Sequence, residues 1–322
     1  MPTILFSAPY MIPFRDRFGP ILEKCGLELI IPEVEERLEE AELLEYAGKY
    51  DGVICGDDRF TRRVIEASTP RLKVISKWGT GIDSIDKEAC EEYGVILGNT
   101  PNAFTEPVAD SVFGYMLTFA RQHLGMDRAM KNGIWKKIPG KALRECTLGI
   151  IGIGNIGSAL VKKAQPFGIK ILGNDIREIA PDFIEAYELE MVDLEELLTQ
   201  ADFVSVNCDL NPTSKHLIDE KALSMMKPEA VLINTARGPI VKEEALIDAL
   251  QEGRIAGAAL DVYEYEPLPG DSQLRDLSQV LLAPHNANSS PQAWEKVHWN
   301  TIKNLLDGLR IDYQVNERGE IL

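Results

Sequence analysis

The stretch LGIIGIGNIGSAL, residues 148–160, constrains the fold of this chain more than any other. A run of apolar β-formers delivers three glycines, Gly152, Gly154 and Gly157, and a helical pattern, SALVKKAQPFG, follows at once. A second apolar run, IKILGND, then ends in Asp175. Strand, glycine turn, helix and strand in that order make a βαβ unit, which sets two parallel strands under a covering helix. A GxGxxG on its own is weak, but in this setting each glycine has a task. The first allows the tight turn, the second lets backbone approach a pyrophosphate, and the third lets helix and strand pack closely. Amides at the helix start, including those of Asn155 and Ile156, can donate to phosphate oxygens. A carboxylate placed as Asp175 is accepts hydrogen bonds from ribose hydroxyls and repels a 2′-phosphate, which favours NAD over NADP; Arg177 tempers that preference.

Around this unit, short β-type runs alternate with helical patterns from end to end. TILFSA, LELIIP, DGVICG, KVISKW and GVILGN come first, then TLGIIGIG, IKILGND, FVSVNCD, AVLINTA, AGAALDV and QVLLAPH. Repeated βα units predict an α/β protein with parallel sheets covered by helices on both faces. At 322 residues the chain is long enough for two cores. NAFTEPVADSVFGYMLTFARQ reads as a helix crossing between two domains, and its apolar face is either core or an interface. The last helical run, SSPQAWEKVHWNTIKNLLDGL, carries Trp294, Val297, Ile302 and Leu305 and is expected to return to the first domain.

Charge and composition narrow the partners. A formal net charge of −17 argues against nucleic acid, whose binding depends on Lys and Arg displacing counterions. The acidic segment EVEERLEEAELLEY reads as a solvated helix face. No apolar window is long enough for a membrane span, and the N-terminus lacks a basic signal-peptide region, so a cytoplasmic protein is expected. Five scattered cysteines, Cys25, Cys55, Cys90, Cys146 and Cys208, without a CxxC pair, read as free thiols, with no metal site.

In open α/β sheets ligands bind beyond the carboxyl ends of the strands. Three polar residues stand there: Arg237 after AVLINTA, Glu266 after AGAALDVYEY, and His285 after QVLLAP. An arginine fork clamps a carboxylate, an imidazole moves a proton, and a glutamate orients the imidazole and favours its charged form. Together they make a set suited to oxidising or reducing a hydroxy acid. His123, His216 and His298 have no such company in the sequence and read as structural.

The motifs KWGTGID, NTP, TLGIIGIGNIGSAL, INTARGPIV, GAALDVYEYEP and APH together resemble the D-isomer-specific 2-hydroxyacid dehydrogenase family over nearly the whole chain. The resemblance implies a Rossmann dinucleotide domain, residues 99–285, inserted into a discontinuous flavodoxin-like substrate domain, residues 1–98 and 286–322. It implies that Arg237 binds the substrate carboxylate and carbonyl, that His285 is the proton donor or acceptor, and that Glu266 partners His285. Asp261 would hold the nicotinamide carboxamide. The amides of Gly79, Thr80 and Gly81 would receive the substrate carboxylate across the interdomain cleft, as an anion nest does. A homodimer is also implied. Glutamate at 266, where formate dehydrogenases of this fold resemble the pattern with glutamine, points to acid–base chemistry. The alternative from another class is an NAD(H)-sensing, corepressor-like binding protein.

The substrate is expected to be a small 2-hydroxy or 2-oxo acid, either 3-phosphoglycerate-like or of the glyoxylate and hydroxypyruvate type. Phosphoglycerate is the less favoured, because the places of the family's phosphate-gripping arginines read Gly56 and Lys77. Arg59 is a possible substitute. Lys77 either grips a second anionic group or points outward from a strand end, and Trp78 either walls the pocket or packs the core. HNANSS departs from the family's glycine-containing form and puts Asn286 and Asn288 where substrate selection is expected. No appended regulatory domain is expected.

Overall fold

The computed structural model describes all 322 residues and divides them into two units, Met1–Phe104 with Ser290–Leu322, and Thr105–Ser289. The changeovers fall at 104/105 and 289/290, a few residues beyond the expected 98/99 and 285/286.

The first unit is built on five parallel strands, β1 (Thr3–Phe6), β2 (Glu28–Ile30), β3 (Gly52–Cys55), β4 (Val74–Lys77) and β5 (Ile96–Gly98). Their order, β2-β1-β3-β4-β5, is that of a flavodoxin-like sheet. Every residue of β1, β3 and β4 is buried, as expected of strands covered on both faces. The helix Pro291–Gly308, capped by Ser290, returns to this sheet and packs on β3, β4 and β5. Val297, Ile302 and Leu305 are fully buried there, and Ser76 Oγ donates to Thr301 O at 2.7 Å. Close approach at this seam depends on Gly308, where a Cβ would fall 2.4 Å from Val74 Cγ2.

Seven parallel strands form the second unit: β6 (Thr147–Ile151), β7 (Lys170–Asn174), β8 (Glu190–Met191), β9 (Phe203–Val206), β10 (Val231–Asn234), β11 (Gly257–Leu260) and β12 (Val280–Leu282). They lie in the order β12-β11-β10-β9-β6-β7-β8, a Rossmann-type doubly wound sheet whose direction of winding reverses between β6 and β9. Hydrophobic clusters cover both faces. Eleven of the twelve strands lie in the apolar runs read from the sequence; β8 does not, because it is two residues long on a sheet edge. The crossing helix, Thr105–Ala120, falls wholly within the second unit. Val108, Val112, Phe113 and Met116 are buried, and the helix packs against the helix Asn155–Ala164, so its apolar face is core. No helix is long and apolar enough to cross a membrane.

Candidate active site

The glycine turn sits where the winding reverses, at the carboxyl end of β6. Gly152 has φ +91°, a conformation that L side chains rarely adopt, and a Cβ there would stand 2.6 Å from Cys208 N. At Gly157 a Cβ would fall 2.1 Å from Gly152 O, so only glycine lets the helix start this close to the turn. A Cβ at Gly154 would meet only Arg177 Nη2, at an ordinary contact distance of 3.7 Å. Gly154 begins the helix Asn155–Ala164, whose first turn no side chain caps, leaving amides of Asn155 and Ile156 oriented for an anion. This cradle fits a dinucleotide pyrophosphate.

Asp175, one residue past β7, is only 5% exposed at its side chain and is already busy. Its Oδ2 accepts from the Ile153 amide at 2.7 Å and from Arg177 Nη2 at 3.2 Å; Oδ1 accepts from the Arg177 amide at 2.8 Å and from Nε at 3.2 Å. Burial pushes its pKa up, but the hydrogen bonds from Arg177 and Ile153 outweigh it and hold the carboxyl below its ordinary range. The residue therefore braces the glycine turn as an anion. Ile176, beside it and 90% exposed, gives the rim an apolar surface that the sequence reading passed over.

Strands β10, β11 and β12 are neighbours, so the residues just past them share one edge of the unit. Arg237 lies three residues beyond β10, its backbone carbonyl accepting from Asn234 Nδ2 at 2.9 Å and its Nη1 donating to Ala236 O at 2.8 Å. Glu266 and His285 follow β11 and β12, and their side chains meet, Oε2 to Nδ1, at 3.0 Å. Glu266 Oε1 accepts from the Tyr263 amide at 2.9 Å, which fixes the carboxylate. A carboxylate only accepts, so Nδ1 carries the proton in this pair.

Asp261 is 1% exposed and its two oxygens accept the amides of Asn286 and Ala287 at 2.7 and 2.9 Å. Burial raises its pKa, and its visible task is to fasten the backbone that follows His285. His285 itself donates its amide to Asp261 O at 2.8 Å and has φ +49°. The DVYEYEP turn thus secures the histidine at both side chain and backbone.

In the other unit, Gly79, Thr80 and Gly81 follow β4. Gly79 has φ +119°, and the turn is pinned by Thr100 N to Gly79 O at 2.9 Å, Thr80 Oγ1 to Thr100 O at 3.0 Å, and Asn99 Nδ2 to Thr80 O at 2.6 Å. Neither reading of Lys77 anticipates its surroundings. It is 3% exposed, and its ammonium meets Asp57 Oδ1 at 3.1 Å and donates to Trp78 O at 2.9 Å. Trp78 is core: it packs with Tyr10, Phe104 and Trp294, and its Nε1 donates to His298 Nδ1 at 2.9 Å.

His298 is buried and structural, as read from the sequence; burial lowers its pKa to about 4. His216 is different. It has carboxylate company after all, with Nε2 2.7 Å from Glu264 Oε1, a partner 48 residues away that no local pattern announces. Asn286 is exposed and Asn288 half-buried, both beside the His285 backbone.

Residues 113–287 match the sequence profile described as D-isomer specific 2-hydroxyacid dehydrogenase, NAD binding domain. The chain is 39% identical to the glyoxylate reductase of Thermococcus litoralis over 274 residues, 82% of each protein. It is 40% identical to the D-3-phosphoglycerate dehydrogenase of Methanocaldococcus jannaschii over 285 residues, 87% of this chain but 53% of that protein. Among solved structures, the D-lactate dehydrogenase of Aquifex aeolicus, complexed with NAD and lactic acid, superposes with a TM-score of 0.84 at 26% identity, covering 99% of this chain and 98% of that one.

Proposed function

This chain belongs to the D-isomer specific 2-hydroxyacid dehydrogenase family, and we propose that it interconverts a small D-2-hydroxy acid lacking a second anionic group with its 2-oxo acid. The observation that carries the chemistry is the Glu266–His285 pair, 3.0 Å apart, on the same strand-end edge as Arg237. In reduction the protonated imidazole gives its proton to the developing alkoxide through Nε2, the nitrogen that Glu266 does not hold. Glu266 favours the imidazolium and fixes its orientation. The Arg237 guanidinium pairs with the substrate carboxylate and polarises the carbonyl. NAD, when bound, supplies the hydride chemistry. Its pyrophosphate would lie on the amides at Gly154, Asn155 and Ile156, and its adenosine ribose beside Asp175. We assign the amides of Gly79, Thr80 and Gly81 to the substrate carboxylate and keep Asp261 as a neighbour of the nicotinamide carboxamide.

The preference for an uncharged substituent rests on Lys77. Its charge is spent on Asp57 and on the Trp78 carbonyl, so it is not available to grip a phosphate, and Gly56 offers no cation. Glyoxylate and hydroxypyruvate are the favoured oxo acids. Five free thiols accord with a reducing, cytoplasmic compartment. A homodimer is proposed through the segment after the Thr105–Ala120 helix, where the helix His123–Lys131 buries no residue and Leu124, Met130, Ile134 and Trp135 are exposed.

The test is NADH oxidation against glyoxylate, hydroxypyruvate, pyruvate and phosphohydroxypyruvate, with His285→Ala as the control. Loss of the acid–base group is expected to cost about 100-fold or more in kcat. Tight NADH binding without turnover of any oxo acid would replace this reading with that of an NAD(H) sensor. Preference for phosphohydroxypyruvate would overturn the assignment drawn from Lys77.

A further inference from the structure

Resting on the acid–base reading of Glu266 and His285, we propose that His216 is a positioning residue: with Glu264 it clasps the turn that carries Glu266 to the segment that carries Arg237. Three backbone segments meet here. The amide of His216 donates to Pro239 O at 2.9 Å, that of Ile218 to Ile240 O at 3.1 Å, and that of Lys242 to Ile218 O at 2.9 Å. Residues 216–218 therefore run as a short parallel pairing beside the chain that continues from Arg237. From the same residue the imidazole reaches the other way, to Glu264 at 2.7 Å.

The third side of the clasp is steric. Gly238 lies so close to the DVYEYEP turn that a Cβ would sit 1.9 Å from the carbonyl carbon of Tyr263. Arg237 and the stretch Tyr263–Glu266 thus cannot shift independently. Within that stretch Glu264 is held by His216, while Glu266, two residues on, holds His285. One short turn is gripped at one carboxylate and grips the proton-transfer histidine with the next.

His216 also adopts φ +53°, an uncommon conformation for a residue with a side chain, which persists where the surroundings over-determine it. Its charged neighbours are Glu264, Glu220 with its partner Lys242, and Glu243, whose Oε2 accepts the Glu264 amide at 3.3 Å. An imidazole N–H donor is what this acidic corner needs. Small losses of alignment at a reacting centre are expensive, so loosening the clasp should appear in the rate of the chemical step and not in cofactor binding.

The experiment uses two variants. His216→Asn tolerates the left-handed backbone but is too short to reach Glu264, and His216→Gln restores a donor at longer reach. For glyoxylate reduction, His216→Asn is expected to lower kcat roughly 5- to 20-fold, with the NADH dissociation constant and the melting temperature unchanged. His216→Gln is expected to recover most of the rate. Wild-type kcat in His216→Asn overturns the clasp, as does a loss that tracks the melting temperature or that His216→Gln fails to relieve. His285→Ala separates the two levels. If it retains turnover, the acid–base reading itself fails; if it is inactive while His216→Asn is normal, only the clasp fails.

Discussion

Asp175 is fully engaged in the resting fold at the very place proposed for the adenosine ribose. Four donors surround its carboxylate, two from backbone amides and two from the Arg177 guanidinium, and they keep it ionised. A ribose diol that binds there competes with an exposed arginine, whose ion pair is worth little in water. Asp175→Ala is expected to weaken NADH roughly 10- to 100-fold while changing NADPH much less, because the repulsion of a 2′-phosphate disappears with the ribose acceptor. Fluorescence titration with both nucleotides measures this, and an unchanged ratio of affinities would refute it. Asp175, Arg237, Glu266 and His285 were legible in the sequence because each follows a strand by a short, countable interval. Lys77 and His216 were not, because what defines them is a carboxylate supplied by another segment: Asp57 across the β3–β4 pair and Glu264 beyond two further strands.

At the level of elements, the contact between β4 and the helix Pro291–Gly308 depends on a neutral histidine. His298 Nδ1 accepts the indole proton of Trp78, which a protonated ring nitrogen cannot do, and burial lowers its pKa from 6.5 to about 4. The depressed folded value fixes the sign. This contribution is fully present above pH 6.5 and is lost as pH falls through about 4, amounting to at most about 3 kcal/mol. Urea unfolding of wild type and His298→Gln between neutral and acid pH should therefore converge on acidification, since glutamine can accept the same hydrogen bond without titrating. A constant gap between the two would refute the assignment. Asp58 works in the opposite direction: its buried carboxyl, raised to about 6, favours the folded state at low pH and loses that contribution as pH rises, but it is common to both proteins and cancels. The strands were legible from runs of buried Val and Ile; the two-residue β8 was not, having no pattern to show. Nor could periodicity tell that the Thr105–Ala120 helix buries its apolar face within one unit, since core and interface select the same residues.

Across the whole molecule, the apolar residues left uncovered are as informative as the core. Leu124, Met130, Ile134 and Trp135 fall within one short segment, and Trp135 is 87% exposed. A single charge at its most exposed residue, Trp135→Glu, is expected to shift the protein from dimer to monomer in light scattering at micromolar concentration, with the NADH site intact. A monomeric wild type, or a variant that stays dimeric, would rule out that surface. The division into two doubly wound units was legible because each strand run announced its sheet; the changeover points were not, since they fall in turns without compositional contrast. The discontinuity of the first unit has a consequence for synthesis. Residues 105–289 form one uninterrupted unit, whereas the sheet of residues 3–98 lacks its covering helix until residue 308 has been made. Domains generally fold as units as the chain emerges. On the ribosome, then, the second unit can complete its core while the first, though translated earlier, still exposes the face of β3–β5 that awaits Val297, Ile302 and Leu305. The segment born first is the last to be finished, its sheet left with an open apolar face in the interval.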